Sequence, residues 1–162
     1  MKIFIGTIFA VLLFAGTSCQ QAVDIEKDKE AILAILNAEG DAALAKDIEW
    51  ISDKYVQDEL TTRLEMGQYG YNRYEGWEEV EGLLGDFLGG EGSIGGDNPV
   101  NRKENVILKV MENSAWLTCD NIWEWTIEGE TGGYNNIQIM FFEKVKGDWK
   151  ISFSAYYTKP NP

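Results

Sequence analysis

The chain has no histidine among its 162 residues. That absence removes imidazole acid–base chemistry, the Ser-His-Asp and Cys-His nucleophile systems and the usual zinc ligand sets. Basic residues are also scarce: 14 Lys and Arg stand against 27 Asp and Glu, for a formal charge of −13. A surface so acidic repels nucleic acid phosphates and anionic headgroups, which excludes a nucleic acid partner; otherwise it speaks for solubility. There are only two cysteines, no internal repeats and no uncharged run long enough for an ordinary membrane-spanning helix. One domain is expected at this length, large enough to bury a core without disulfides or metals.

Lys2 is followed by an uncharged stretch, Ile3 to Ser18, that ends in small residues before Cys19. This is the layout of an export signal. The run Ala15-Gly16-Thr17-Ser18-Cys19 resembles a bacterial lipoprotein signal, although Gly16 stands where such signals usually carry Leu. The resemblance implies cleavage of residues 1–18, lipidation of Cys19 and a tether over residues 19–27. Residues 28–159 would then form a domain in the bacterial cell envelope, periplasm-facing or at the surface, with plain secretion as the alternative. The mature charge would be −14, because Lys2 leaves with the signal. Cys119 falls on an apolar alternation with Ala115 and Leu117, which reads as a small buried hydrophobe; a disulfide to Cys19 is open only if that thiol is not lipidated.

Residues 24–46 carry apolar positions near a 3.6 spacing, Ile25, Ile32, Ile35, Leu36, Ala42 and Leu44, with Glu39 assigned to the polar side. Gly40 interrupts this helix and suggests close approach to a neighbour. Asp47 is placed to cap a second helix over 48–55, with Trp50, Ile51 and Tyr55 inward. A strand over 56–65, an aromatic loop over 69–74 and a third helix over 77–88 follow. Residues 89–99 read as a glycine-rich linker beside the pocket rather than a phosphate loop, since a helix precedes it and a strand follows. Four antiparallel strands then close the chain: 106–110, 115–127, 134–145 and 149–157.

Trp50-Ile51-Ser52-Asp53-Lys54-Tyr55-Val56-Gln57-Asp58-Glu59, Gly76-Trp77-Glu78-Glu79-Val80, Ala115-Trp116-Leu117 and the closing hairpin Phe141 to Ile151 resemble, in order and spacing, the nuclear transport factor 2-like superfamily, with its SnoaL-like cyclases and ketosteroid isomerases. The likeness spans about residues 28–157. It implies an α+β cone: three N-terminal helices packed in a strongly curved mixed sheet that ends in a four-strand meander. A pocket at the wide end and a homodimer through the outer sheet face are further implications. The same scaffold hosts enzymes, binding modules and association domains. In isomerase-like members a carboxylate serves as base where this chain has Arg63, and a tyrosine serves the oxyanion near the position of Glu39. Arginine cannot act as a base, so both departures argue against steroid isomerisation.

Alternation puts Arg63 and Glu65 on one strand face, from which they could bind a polar ligand or, with Asp120, activate water. On the 115–127 strand one face carries Trp123 and Trp125, and the other Asp120 and Glu124. Trp50, Tyr55, Trp77, Trp123, Trp125 and Tyr156 are the candidate pocket aromatics, with Gln138 to orient a ligand. The expectation is a non-catalytic binding module for a small, partly apolar molecule, without cofactor or metal. The alternatives are a hydrolase, isomerase or cyclase using Arg63, Glu65 and Asp120, and a dimeric scaffold with a vestigial pocket. Membrane attachment is expected through the lipid alone. Mass spectrometry of the protein from cells should find a lipidated Cys19 as the new terminus, with processing blocked by globomycin; an intact Met1 terminus would overturn that reading.

Overall fold

The computed structural model describes residues 24–90 and 96–158; the expected export signal, Cys19, most of the expected tether and the middle of the expected 89–99 linker lie outside the described residues. Asp24 opens helix α1 (Ile25–Leu44), its carboxylate accepting a hydrogen bond from the Lys27 amide that the first turn would otherwise leave unpaired. Ile32, Leu36 and Ala43 are buried on one face of α1. Gly40 lies on that face too, and a Cβ there would stand 2.7 Å from Cβ of Asn101. Only glycine lets the helix lie so close to the sheet. Asp47 caps α2 (Ile48–Asp53) through the Trp50 amide, and α3 (Trp77–Gly89) buries Val80, Leu84 and Leu88 at intervals of one turn. Among the described residues no helix is long and apolar enough to cross a membrane.

Six strands follow in chain order: β1 (Thr62–Gly67), β2 (Gly70–Glu75), β3 (Asp97–Val110), β4 (Ser114–Ile127), β5 (Glu130–Val145) and β6 (Asp148–Thr158). They form one sheet in the order β2-β1-β6-β5-β4-β3, antiparallel throughout except for the parallel pair β1–β6. This is an α+β fold whose helices pack on one face of a mixed sheet, with β3 to β6 as the meander. Bulges in β3 and at Ser152 of β6, opposite Phe141 and Phe142 of β5, bend the long strands around the helices. Two-residue turns at Glu128-Gly129 and Lys146-Gly147, all four residues at positive φ, join β4 to β5 and β5 to β6.

Several boundaries differ from expectation, each for a local reason. The segment from Val56 to Thr61 is not a strand: the Asp58 carboxylate accepts from the Leu60 and Thr61 amides, and this turn delays β1 to Thr62. The aromatic stretch from Tyr69 to Tyr74 is largely strand β2, paired along its length with β1. β5 begins at Glu130, four residues earlier than the glycines suggest, because Gly132 and Gly133 lie in the strand beneath Trp125 and against Trp123; a Cβ on Gly132 would sit 3.0 Å from the Trp125 indole nitrogen. The largest shift is in β3, which starts at Asp97 rather than Val106. Asn105 has positive φ and the register slips between Glu104 and Ile107, so the period-2 pattern breaks in mid-strand.

The inner sheet face and the helices enclose the core of Leu117, Met140, Phe142 and Ile151 with Ile32, Leu36, Val80 and Leu84. At one end of this core Asp28 on α1 accepts from Lys144 Nζ at 2.7 Å and from the Trp149 indole at 3.0 Å, which pins the start of α1 to the β5–β6 hairpin. At the other end the inner face turns polar and a cavity opens.

Candidate functional site

A cavity of about 400 Å³ lies between α3 and the inner face of the sheet. Its two walls differ in chemistry because they come from elements with different patterning. Leu83, Leu84, Phe87 and Leu88 of α3 make one wall, extended by Ile51 of α2 and Trp123 of β4. The opposite wall carries inward-facing polar residues of five neighbouring strands and α1: Glu39, Arg63, Lys103, Asn121, Asn136 and Tyr156.

Glu39 stands two helical turns beyond Ile32 and one turn before Ala43, in the middle of the buried stripe of α1. Its Oε2 accepts from Lys103 Nζ at 3.0 Å and from Gln138 Nε2 at 2.8 Å, and its Oε1 accepts from the Tyr156 hydroxyl at 2.8 Å. Lys103 donates further to Asn121 Oδ1 at 2.9 Å and to Gln138 Oε1 at 2.8 Å, which occupies all three ammonium protons. The lysine side chain is only 4% exposed and the glutamate 15%. A buried ion pair is tolerable only when its polar atoms are hydrogen-bonded, and here both carboxylate oxygens and all three ammonium protons are. Burial pushes the Glu39 carboxyl up, but the Lys103 charge and the bonds from Gln138, Lys103 and Tyr156 outweigh it and hold the carboxyl below its ordinary 4.5. Burial, and then the Glu39 charge, push the Tyr156 hydroxyl well above its usual value, so it remains a phenol.

Arg63 is the second buried cation. Its Nε and Nη2 both reach Glu65 Oε1 at 2.7 Å, and its guanidinium lies 4.3 Å from the centre of the Tyr156 ring. Burial draws its pKa down, but Tyr156, Tyr55 and Glu65 more than compensate, and it stays charged. The four charges at the cavity thus cancel in two pairs. What is left over is neutral: Asn136 is nine-tenths buried, its Oδ1 accepts from Asn121, and among the described residues its amide N–H groups have no partner. The Tyr134 hydroxyl is pushed up to about 12, by burial first and by Glu65 second.

The expected site residues separate into groups. Arg63, Glu65, Trp123 and Tyr156 line the cavity together. Gln138 lies directly behind it as the hub that links Lys103, Glu39 and Tyr156. Trp125 packs edge-on against Tyr134, with centroids 5.8 Å apart, and backs the wall rather than lining it. Tyr55 and Trp77 face each other at 5.7 Å, with the Tyr55 hydroxyl on Ser154, below the cavity floor. Trp50 is half-buried on α2 beneath Lys54. Asp120 is on the opposite side of the sheet, where Asn105 donates to it at 2.6 Å. The strand alternation that turns Trp123 inward turns Asp120 outward, so the trio of Arg63, Glu65 and Asp120 is divided between two faces. Cys119 is buried beside Gln138 and its thiol is pushed up to about 11 by burial. Among the described residues no cluster of His, Cys, Asp and Glu could hold a metal ion.

No family model matches the chain, and no curated protein is similar to it in sequence. Solved structures are similar in shape. An NTF2-like protein with a cystatin-like fold from Novosphingobium aromaticivorans superposes with a TM-score of 0.69, covering 85% of this chain and 86% of its own at 15% identity. The fold is that of the nuclear transport factor 2-like proteins. An NTF2-like superfamily protein from Salmonella enterica gives a TM-score of 0.64 at 14% identity, with coverage of 85% and 94%. A candidate dehydratase of the NTF2-like family from Streptomyces avermitilis gives 0.66 at 14%, with coverage of 84% and 99%. At such identities the likeness is one of NTF2-like fold alone.

Glu39, Lys103, Asn121, Asn136 and Tyr134 were not among the residues expected at the site. For Glu39 a signal exists, since it is the one charged residue in the centre of the apolar stripe of α1. Lys103 and Asn101 carry none, because the bulge after Glu104 hides the strand they belong to.

Because Glu39 has a depressed pKa in the fold, its contribution to stability is complete above the unfolded value of about 4.3 and is lost as pH falls through the lower folded value. Glu39→Gln leaves Lys103 buried without its counter-charge and should cost about 3–5 kcal/mol at pH 7 in urea unfolding. The variant should also lose less further stability than wild type between pH 5 and pH 3. Parallel acid limbs in the two proteins would show that the carboxylate does not act this way.

Proposed function

We propose that this protein is a binding module that holds a small, partly apolar molecule in the cavity between α3 and the sheet, without converting it. The observation that carries the reading is the two-sided wall. Leucines, Phe87 and Trp123 offer an apolar bed on one side, and on the other the unpartnered Asn136 amide is aimed into space that four mutually neutralised charges leave uncharged. The absence of catalysis is supported by how the ionisable groups are spent. Glu39 is held ionised by Lys103, Tyr156 is kept a phenol, and the cavity's other carboxylate, Glu65, is paired to Arg63. A general base requires a carboxyl raised toward neutrality, and Glu39 is shifted the other way. Lipidation of Cys19 would present the module at the cell envelope.

A second copy of the chain is the partner we propose for the outer face of the sheet. Ile107 and Phe141 are 59% and 47% exposed there, with Trp116, Ile122, Ile139 and Phe153 around them half-buried, a continuous apolar surface on the strand positions that alternate with the core. A self-complementary face of this kind forms a closed two-fold dimer.

Two measurements test these readings. Tryptophan fluorescence should respond to members of a library of neutral hydrophobic ligands, and Leu83→Trp, which fills the cavity from its half-buried α3 wall, should abolish the response without unfolding the protein. Silence across a broad library would count decisively against the module. Sedimentation should show a dimer in the wild type and a monomer in Phe141→Glu; a wild-type monomer at high concentration would remove the second copy.

A further inference from the structure

The cavity does not end at its mouth. Glu65 and Thr158 on its rim also border an open groove of about 450 Å³ along the β1–β2 hairpin, where Gln68, Tyr69 and Asn72 line it together with Met66, Tyr71 and two glycines. Strand register makes the two spaces continuous. Asn136 is opposite Thr158 across β5 and β6, Glu65 is opposite Tyr156 across β6 and β1, and Asn72 is opposite Glu65 across β1 and β2. Cross-strand partners share a face, so inward-facing polar groups run unbroken from the cavity wall out onto the hairpin.

The two spaces favour different chemistry. The cavity has leucine, phenylalanine and tryptophan; the groove has carboxamides, a threonine, one methionine and two tyrosines, of which Tyr69 at the hairpin turn is 96% exposed. Carboxamides and hydroxyls both donate and accept hydrogen bonds, which suits a ligand part dense in hydroxyl groups. An aromatic ring free on both faces suits the C–H face of a pyranose. The only charged residue of the groove is Glu65, and its charge is already met by Arg63 at 2.7 Å. An anionic head would find no cation there and would meet a chain of net charge −13. A cationic head would find two exposed tyrosines and a neutralised carboxylate, short of the several rings of an aromatic cage.

We propose that cavity and groove form one bipartite site for an uncharged glycoside: the apolar aglycone fills the cavity, and the sugar rests on the β1–β2 hairpin against Tyr69, Gln68 and Asn72. The inference rests on the cavity-binding reading and adds to it the class of head group.

Calorimetric titration with four ligands that share one tail tests it: octan-1-ol, n-octyl β-D-glucoside, octyl sulfate and octyltrimethylammonium. The glucoside should bind about tenfold tighter than the alcohol, the gain expected from one or two net hydrogen bonds, and the two charged amphiphiles no tighter than the alcohol. Tyr69→Ala combined with Asn72→Ala, both on the exposed hairpin, should return the glucoside to the affinity of octan-1-ol and leave octan-1-ol unchanged. Equal wild-type affinities for alcohol and glucoside would overturn the bipartite site while leaving the cavity reading intact. Tightest binding by the sulfate or the ammonium would overturn the uncharged head. If neither octan-1-ol nor the glucoside binds, the cavity reading falls and takes the inference with it.

Discussion

The contact between Glu39 and Lys103 decides what kind of interior this protein has. Two opposite charges removed from water on facing elements gain little by themselves, because desolvation consumes most of the attraction. What makes the arrangement tenable is the second layer: Gln138 turns its carbonyl to the ammonium and its amide to the carboxylate, Asn121 takes another ammonium proton, and Tyr156 closes the carboxylate. The reverse orientation of Gln138 would set its donors against Lys103 and its acceptor against Glu39, so the network allows one orientation only. Four strands and α1 must therefore take one relative placement before any of these groups is satisfied. A purely apolar interior would tolerate small slips of α1 along the sheet; this one does not.

The same constraint explains why half of the sheet's inner face could turn polar and remain buried. Near Asp28 the inner face is Leu117, Met140 and Phe142, ordinary core. Toward the other end Asn101, Lys103, Asn121, Asn136 and Gln138 replace them, and each uses its neighbours as hydrogen-bond partners in place of water. α3 does not follow this change, because its inward stripe of Val80, Leu83, Leu84, Phe87 and Leu88 is apolar along its length. The cavity is thus amphipathic by construction: a helix of one character faces a sheet that has changed character beneath it.

Much of the architecture could be read from the residues alone, because it is written in periodicity. Asp47 marks a helix start, the stripe of α1 announces its buried face, and the alternation Leu117, Cys119, Asn121, Trp123 orients β4 correctly, which brings Trp123 to the cavity and turns Asp120 away. Reading failed where a local event interrupts a period. The Asp58 turn shortens β1, Gly132 and Gly133 pass as turn residues although one makes room for the Trp125 indole and the other for the Trp123 backbone, and the bulge after Glu104 conceals the first half of β3. The site suffered most from the last of these, since Lys103 lies in the concealed half. Glu39 was misplaced for a different reason: a carboxylate was assigned to the wet side by type, when its position in the stripe put it inside. Its partners come from strands that no local pattern connects to α1.

The parallel pairing of β1 with β6 has a consequence for how the protein comes into being. Every other strand pair is joined through a short turn, but β1 must wait for the last strand to be available before it gains its second neighbour. Tyr156, which closes the Glu39 carboxylate from 117 positions away, arrives with that strand. Loop closure of this length is entropically costly and makes such contacts late. Until β6 docks, the nascent chain holds a buried-type carboxylate and ammonium in water, and no cavity. The site is therefore complete only once β6 has docked, and its presence certifies that the sheet holds all six strands.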